Sequence, residues 1–425
     1  MIRKAATPAV ICITALLQSP GIAVAADATA VLQGEFDSAL TAIEEDRLRT
    51  AREKLQALLA GNPSLHRARL ELARVHYLSA DYAQARVEAQ RVLDDPNTPA
   101  GVRTTVLAFL AQIAEDERRL GQRHQWTPSI YAGLMYDDNV NIGPRNDIID
   151  VGNVADASLP REDVAWVINP SLSHVYNPGR RFESGEHEGS FLWQTDLSAY
   201  RRGYFDESDF NLGVLTLRTG PAWVVPRHWR ASIGLQADNI WFGGSNLALF
   251  TGVNPSVTWN IGKQTEFTVD GNFTRREFDD SVNSGRDGHL GKGSVALTRY
   301  FNDRRWAAQA GAGYTRFNAD ESRFGYSSPD AHIGVIAEAW ENGVVFGRIG
   351  YAGYDFDGTE PVPYELRSRD DDEIRFAAGF EHEYRNGWLK DWSLLGNWIF
   401  TDNDSNLDAY TYDRHIVNLG LSRSF

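Results

Sequence analysis

Cysteine is nearly missing from this sequence: Cys12 is the only one, and it lies in an apolar stretch near the start. A disulfide framework, thiol catalysis and thiolate metal sites are excluded by that shortage. Long hydrophobic runs are missing as well, since none reaches the roughly 18 consecutive apolar residues of a membrane helix. If this chain crosses a membrane, it does so with strands closed into a barrel. Catalytic signatures are also lacking: there is no HExxH, CxxC, phosphate loop or GxSxG elbow, and Gly311-Ala312-Gly313 has no third glycine. The chain is therefore expected not to be an enzyme, and no cofactor is implied.

What is present is distributed unevenly. Met1-Ile2-Arg3-Lys4 is basic, residues 9–17 are apolar, and Ala23-Val24-Ala25 offers small residues for cleavage, so residues 1–25 read as a secretory signal peptide. All 12 Trp, 14 of 16 Tyr and 32 of 37 Gly lie at or beyond Trp126. That places a domain boundary near residue 125, with one domain at 26–125 and another at 126–425. Residues 26–125 carry 15 acidic and 13 basic side chains, whereas 126–425 carry 42 and 27. The acidity belongs to the second domain and argues against nucleic acid as a partner.

Residues 30–122 have a helical apolar period, broken at Gly61-Asn62-Pro63 and Asp95-Pro96-Asn97. Ala51, Leu55 and Leu58 recur 34 residues later as Ala85, Ala89 and Val92, and Pro63 is answered by Pro96. With Leu72-Ala73, His76 and Tyr82, this resembles the tetratricopeptide repeat, which implies about three helix pairs around a shared core. The resemblance implies a concave groove lined by Arg67, Arg74 and Tyr77; solvated arginines on a helix face are the alternative.

Beyond Trp126 the period becomes two. Ile130-Ala132-Leu134-Tyr136, Ala231-Ile233-Leu235-Ala237 and Ala331-Ile333-Val335-Ala337 are apolar sets, and polar sets such as Gln236-Asp238 and Asp270-Asn272 interleave with such runs. The fold expected is an all-β transmembrane barrel, apolar outside and polar inside, preceded by the α-helical domain. Short connections at Asn177-Pro178-Gly179, Ile261-Gly262-Lys263, Phe301-Asn302-Asp303, Glu341-Asn342-Gly343 and Arg385-Asn386-Gly387 alternate with longer ones near 138–163, 200–208, 241–249, 277–288, 318–326, 354–372 and 401–410. This predicts about 14 strands, each near the 9–11 residues that suffice to cross, with short turns in the periplasm. Tyr176, Trp229, Trp259, Tyr300, Trp306, Trp340, Tyr384 and Trp388 beside the turns are expected to form an interfacial girdle. The acidic loops, including Asp370-Asp371-Asp372-Glu373, are expected to form an outer rim against lipopolysaccharide. Asp402, Asp404 and Asn406 have calcium-loop spacing, yet Leu407 stands where such a loop needs glycine and Asp413 where it needs Glu, so a solvated loop is expected.

Two further resemblances carry function. The final strand, with Asn418, Gly420 and Phe425, resembles the C-terminal signal that barrel-insertion machinery reads, although Arg423 departs from the pattern. Tyr136-Asp137-Asp138-Asn139-Val140-Asn141 resembles the barrel start of the surface lipoprotein assembly modulator family, also described as type XI secretion. That resemblance implies an outer-membrane translocator that passes a protein client, a lipoprotein or small secreted protein, to the cell surface while the helical domain receives it in the periplasm. A polysaccharide exporter and a passive porin with a periplasmic docking domain are the alternative readings.

Overall fold

The computed structural model describes residues 26–96, 98–149, 152–361 and 367–425, so the expected signal peptide lies outside the described residues. The helical domain consists of α1 (Ala26–Glu44), α2 (Leu48–Gly61), α3 (His66–Leu78), α4 (Tyr82–Asp94) and α5 (Ala100–Leu120). Ala51, Leu55 and Leu58 are buried, as are their counterparts Ala85, Ala89 and Val92. Glu88, also buried, accepts from Arg69 of α3 at 2.7 Å and from Arg91 at 2.6 Å. The last turn of α4 leaves carbonyls without helical partners. Thr98 Oγ1 donates to the carbonyl of Val92 at 2.6 Å and Arg103 Nη2 to that of Leu93 at 2.9 Å. About three helix pairs were the expectation; five helices stand among the described residues, because residues 100–120 form one unbroken helix.

The second domain is a closed antiparallel barrel. Its strands are β1 (His124–Asp137), β2 (Asp163–Tyr176), β3 (His187–Tyr204), β4 (Leu212–Val225), β5 (Trp229–Phe242), β6 (Ser245–Ile261) and β7 (Thr265–Phe278). They continue as β8 (Gly288–Phe301), β9 (Trp306–Ala319), β10 (Tyr326–Trp340), β11 (Gly343–Thr359), β12 (Ser368–Glu383), β13 (Trp392–Ser405) and β14 (Tyr412–Ser424). Each pairs with its sequence neighbours, and β1 pairs with β14 from Ser129↔Ser424 to Asp137↔Ile416. A short strand, Arg181–Ser184, extends the β2–β3 connection as a hairpin with the start of β3.

Alternation along each strand gives the barrel an apolar outer face. Leu134, Leu235, Ile333, Val335 and Leu419 are all more than half exposed, while Met135 and Val167, of opposite parity, are buried. Large apolar side chains left this open on successive strands are those of a sheet facing lipid. Trp306 and Tyr314 on β9 both face outward; eight residues apart, they mark a band roughly 20 Å tall for a rise of about 3.3 Å per residue and the usual strand tilt.

The strands are longer than expected, 13 to 18 residues against 9 to 11. Residues read as loops are strand extensions instead: 245–249, 354–359, 368–372 and 401–405 all lie in strands. The connection expected at 241–249 is the tight hairpin Gly243-Gly244, both with positive φ. Polar side chains break an apolar pattern without breaking a hydrogen-bonded ladder, so composition marks where the membrane band ends and not where the strand ends. Asp370 to Glu373 accordingly stand within β12, with Asp371 buried, and do not form an acidic loop. Residues 385–387 lie in a longer connection, 384–391. Tyr300 shares the parity of the inward positions, opposite Ala307, and is not a girdle residue.

The closing seam depends on two glycines. Gly133 and Gly420 pair directly across β1 and β14, and the Tyr131 ring lies over them. A Cβ on Gly420 would come within 2.7 Å of both the Ala132 carbonyl oxygen and that ring. Gly420→Leu is expected to cut the folded, heat-modifiable fraction of the barrel several-fold, whereas Gly293→Ala, with no atom within 4 Å of the new methyl, should leave it unchanged. Equal folded fractions for the two variants would show that seam packing does not limit closure.

Candidate functional site

Inward positions on β3 to β10, with Ser173 of β2, carry a ladder of polar side chains. Ser173 donates to Asp196 at 2.5 Å, and Arg218 donates to Gln236 Oε1 at 2.7 Å. Gln236 donates to Asp238 at 2.6 Å and accepts from Asn254 at 2.8 Å. Asn272 donates to Asn254 at 2.5 Å, and Lys292 pairs with Asp330 at 2.7 Å. Gly220, Ser232 and Gly234 recess the wall within this ladder. The result is a cavity of about 430 Å³ bordered by Asp196, Arg218, Asn254 and Asp270. Such a surface stays wetted and offers hydrogen bonds to a hydrophilic solute at every step.

The wall formed by β14, β1, β2 and β3 is different. There Met135, Val140, Ala165, Val167 and Tyr204 form a buried cluster, with Tyr131, Tyr200, Phe210 and Ile416 packed against it. Val140 comes from the connection 138–162 and not from a strand, so that connection sends a side chain among the inward residues. The expectation of a lumen polar all round is corrected by this wall.

The Tyr136–Asn141 segment is what holds the connection in place. Asp137 is fully buried and accepts from Arg414 through two nitrogens, one at 2.8 Å, and from Tyr204 Oη at 2.6 Å. Its Oδ1 also accepts the backbone N–H of Asn139 at 3.2 Å. Asn139, buried, donates to the carbonyls of Gly143 (2.9 Å) and Asp413 (3.0 Å) and accepts from the Gly143 N–H at 2.7 Å. Asp138 accepts the His415 N–H at 2.7 Å. Asn141 donates to the Leu159 carbonyl at 2.8 Å and accepts the Arg161 N–H at 2.9 Å. Tyr136, facing outward, donates to Glu162 at 2.6 Å. Each polar residue of the motif therefore ties a backbone or a charge, and the set holds the start of this connection against the loop ends of β13 and β14. At the rim Arg145 bridges Asp402 and Asp413, the latter at 3.1 Å. Partial burial works against the Arg145 charge, but the hydrogen bonds it donates to Asp413 and Asp402 hold its pKa above the ordinary arginine value.

One feature of the mouth is absent from the sequence reading. Arg276 lies between the rings of Phe250 and Phe317, at 5.2 and 4.7 Å, and Arg369 between those of Phe356 and Tyr410, at 4.6 and 4.0 Å. Tyr326 continues the row, 5.7 Å from Phe317 and 5.5 Å from Phe356. Apart from Tyr410, which follows β13, these residues hold inward parity at the long-loop ends of their strands, so arginine–aromatic stacks rim the passage. Their parity with Asn254, Arg348 and Glu373 was the available signal.

The other sequence candidates are accounted for as follows. Arg67 lies over the Phe36 ring at 4.9 Å, Arg74 pairs with Glu71 at 3.3 Å, and Tyr77 packs edge-on against Phe109 at 5.5 Å. Asn418 donates to Asn397 at 2.8 Å in the lumen, and Phe425 lies exposed beneath Arg423, 4.8 Å from its ring centroid. Asp402 is taken up by Arg145, and Asn406 holds the Asp370 N–H (2.9 Å) and the Ser368 carbonyl (2.9 Å). The calcium-loop spacing thus falls on a strand end and its turn.

No protein-family model matches the sequence, and no curated protein does. Among solved structures, the outer membrane protein OprD from Pseudomonas aeruginosa is similar over 72% of this chain and 94% of its own, at 10% identity and a TM-score of 0.39. A Pseudomonas aeruginosa FadL homologue is similar over 71% and 90%, at 11% identity and 0.38. The anion-selective porin from Comamonas acidovorans is similar over 71% and 99%, at 9% identity and 0.35. Likenesses at such scores bear no weight here, and the barrel's own geometry must carry the functional reading.

Removing Asp137 would leave Arg414 buried without its carboxylate, a change that costs on the order of 3–5 kcal/mol. Asp137→Ala is expected to open residues 138–162 to protease and to lower the temperature of heat modification in detergent. The double variant Asp137→Ala/Arg414→Met should regain much of the loss. Protease resistance equal to the parent in the single variant would show that this knot does not hold the connection.

Proposed function

We propose that this protein is an outer-membrane channel, a passive porin whose helical domain sits in the periplasm and docks a partner there. The polar ladder from Asp196 to Lys292 carries the reading, because amide and charged side chains in register along the inside of a closed barrel keep its lumen wetted. The apolar cluster, with Val140 from the connection, takes up part of the cross-section, so the passage suits small hydrophilic solutes along the β3–β10 wall. The arginine–aromatic stacks at the mouth make entry polar and narrow.

Protein-client transport is the second reading, and the segment Tyr136–Asn141 with the helical domain favours it. On that reading a lipoprotein or small secreted protein is received by residues 30–122, and the knot at Asp137 must open for passage.

Conductance separates the two. Purified full-length protein in a planar bilayer is expected to give discrete open steps, lowered at least twofold by Asn254→Trp and raised by deleting residues 139–160. A folded barrel with no conductance above bare lipid would end the porin reading. If surface labelling of a secreted protein then fell on deletion of residues 30–122, the client reading would replace it, whereas loss of surface polysaccharide instead would point to an exporter of that class.

A further inference from the structure

Outside the apolar band, the outer face is not uniform in charge. On β11 to β14 acidic residues stand opposite one another, Asp355 with Asp370, Asp372 with Asp404 and Asp402 with Asp413. On β7 to β9 basic residues stand on this face: Arg275 opposite His289, and Arg316 opposite Gly291. These three basic residues border a cavity of about 540 Å³ whose apolar lining includes Val253, Phe273, Leu290 and Gly291.

Below the basic end the sheet surface is a shallow trough. Gly271 pairs with Gly293; a Cβ on Gly271 would meet Pro255 at 3.0 Å and Phe273 at 3.3 Å, whereas one on Gly293 would meet no atom within 4 Å, so the trough is open to the surroundings at Gly293. Phe273, 59% exposed, flanks it on one side and Tyr314, 55% exposed, on the other. An apolar trough leading from the middle of the band to two arginines and a histidine matches an amphiphile with a phosphate at one end and an acyl chain at the other. Arg275 pairs with Glu277, at 2.6 Å, and both are well exposed. Exposed pairs of this kind are weak, so a phosphate can take the arginine's remaining nitrogens. Arg316 is fixed by two bonds to Asp357, at 2.7 and 2.8 Å, and serves as the wall of the seat.

We propose that this groove seats one molecule of lipid A, the phosphorylated glycolipid of the outer leaflet, with a phosphate on Arg275 and His289 and an acyl chain over Gly291 and Gly293. The choice of lipid rests on the outer-membrane reading, which puts the long-loop end in that leaflet; the seat itself rests on the groove.

Full-length protein in detergent, incubated with lipid A and analysed by native mass spectrometry, is expected to retain one lipid A per barrel. Arg275→Ser with His289→Asn should weaken retention about tenfold, the effect of one charge-assisted hydrogen bond. Gly293→Leu should weaken it too by filling the trough, with heat modification unchanged in both. Retention equal to the parent in both variants, or equal retention of lipid A stripped of its phosphates, would overturn the proposal. Preference for phosphatidylglycerol over lipid A would also overturn it, and would place this end of the barrel in a phospholipid leaflet; channel conductance reports separately on the porin reading.

Discussion

In lipid no water is available to a backbone N–H or C=O, so each must find its partner within the protein. The pairing of β1 with β14 meets that demand where a sheet would otherwise have two open edges. Everything else in the second domain follows from this closure. Once the ring is complete, alternation along each strand divides the side chains into an outer set that meets lipid and an inner set that meets water or packs. The long stretch of chain between Gly133 and Gly420 is joined at a point where neither residue has room for a side chain.

The inner set then divides again. On one wall, Met135, Val167 and Tyr204 make a local hydrophobic core inside the barrel, and Val140 from the long connection completes it. A buried ion pair, Asp137 with Arg414, sits at the edge of that core and fixes the connection through Asn139. Desolvation of the two charges offsets much of their attraction, whereas loss of either partner is costly. On the other wall the amides and charges of β3 to β10 remain in contact with the lumen. The barrel interior is therefore two-sided, packed on one wall and polar on the other.

Much of this was legible in the residues. The strand number, the outward faces and the helical packing positions Ala51, Ala85 and Ala89 follow from periodicity, since burial and lipid contact act on every second or every third to fourth residue. Three things were not legible. Strand length was underestimated because the strands run on past the lipid band, where Asp370 and Asp404 continue the ladder as well as valine would. The segment Tyr136–Asn141 could be seen as a motif but not as a knot, because its partners Tyr204, Asp413 and Arg414 are remote in sequence and are brought close only by barrel closure. The arginine–aromatic stacks were missed because Phe250 and Phe317 look like interfacial residues until register shows that they point inward.

The two-faced barrel is the claim on which all of this stands, and residues 26–425 contain no cysteine, so single cysteines report on it without background. Spin labels at Leu297, Ile333 and Leu419 in reconstituted bilayers are expected to be relaxed by oxygen, which concentrates in lipid. Labels at Asn254, Asn272 and Asn397 should instead be relaxed by a water-soluble nickel chelate. Nickel access at the first three positions, or oxygen-dominated relaxation at the second three, would contradict the account.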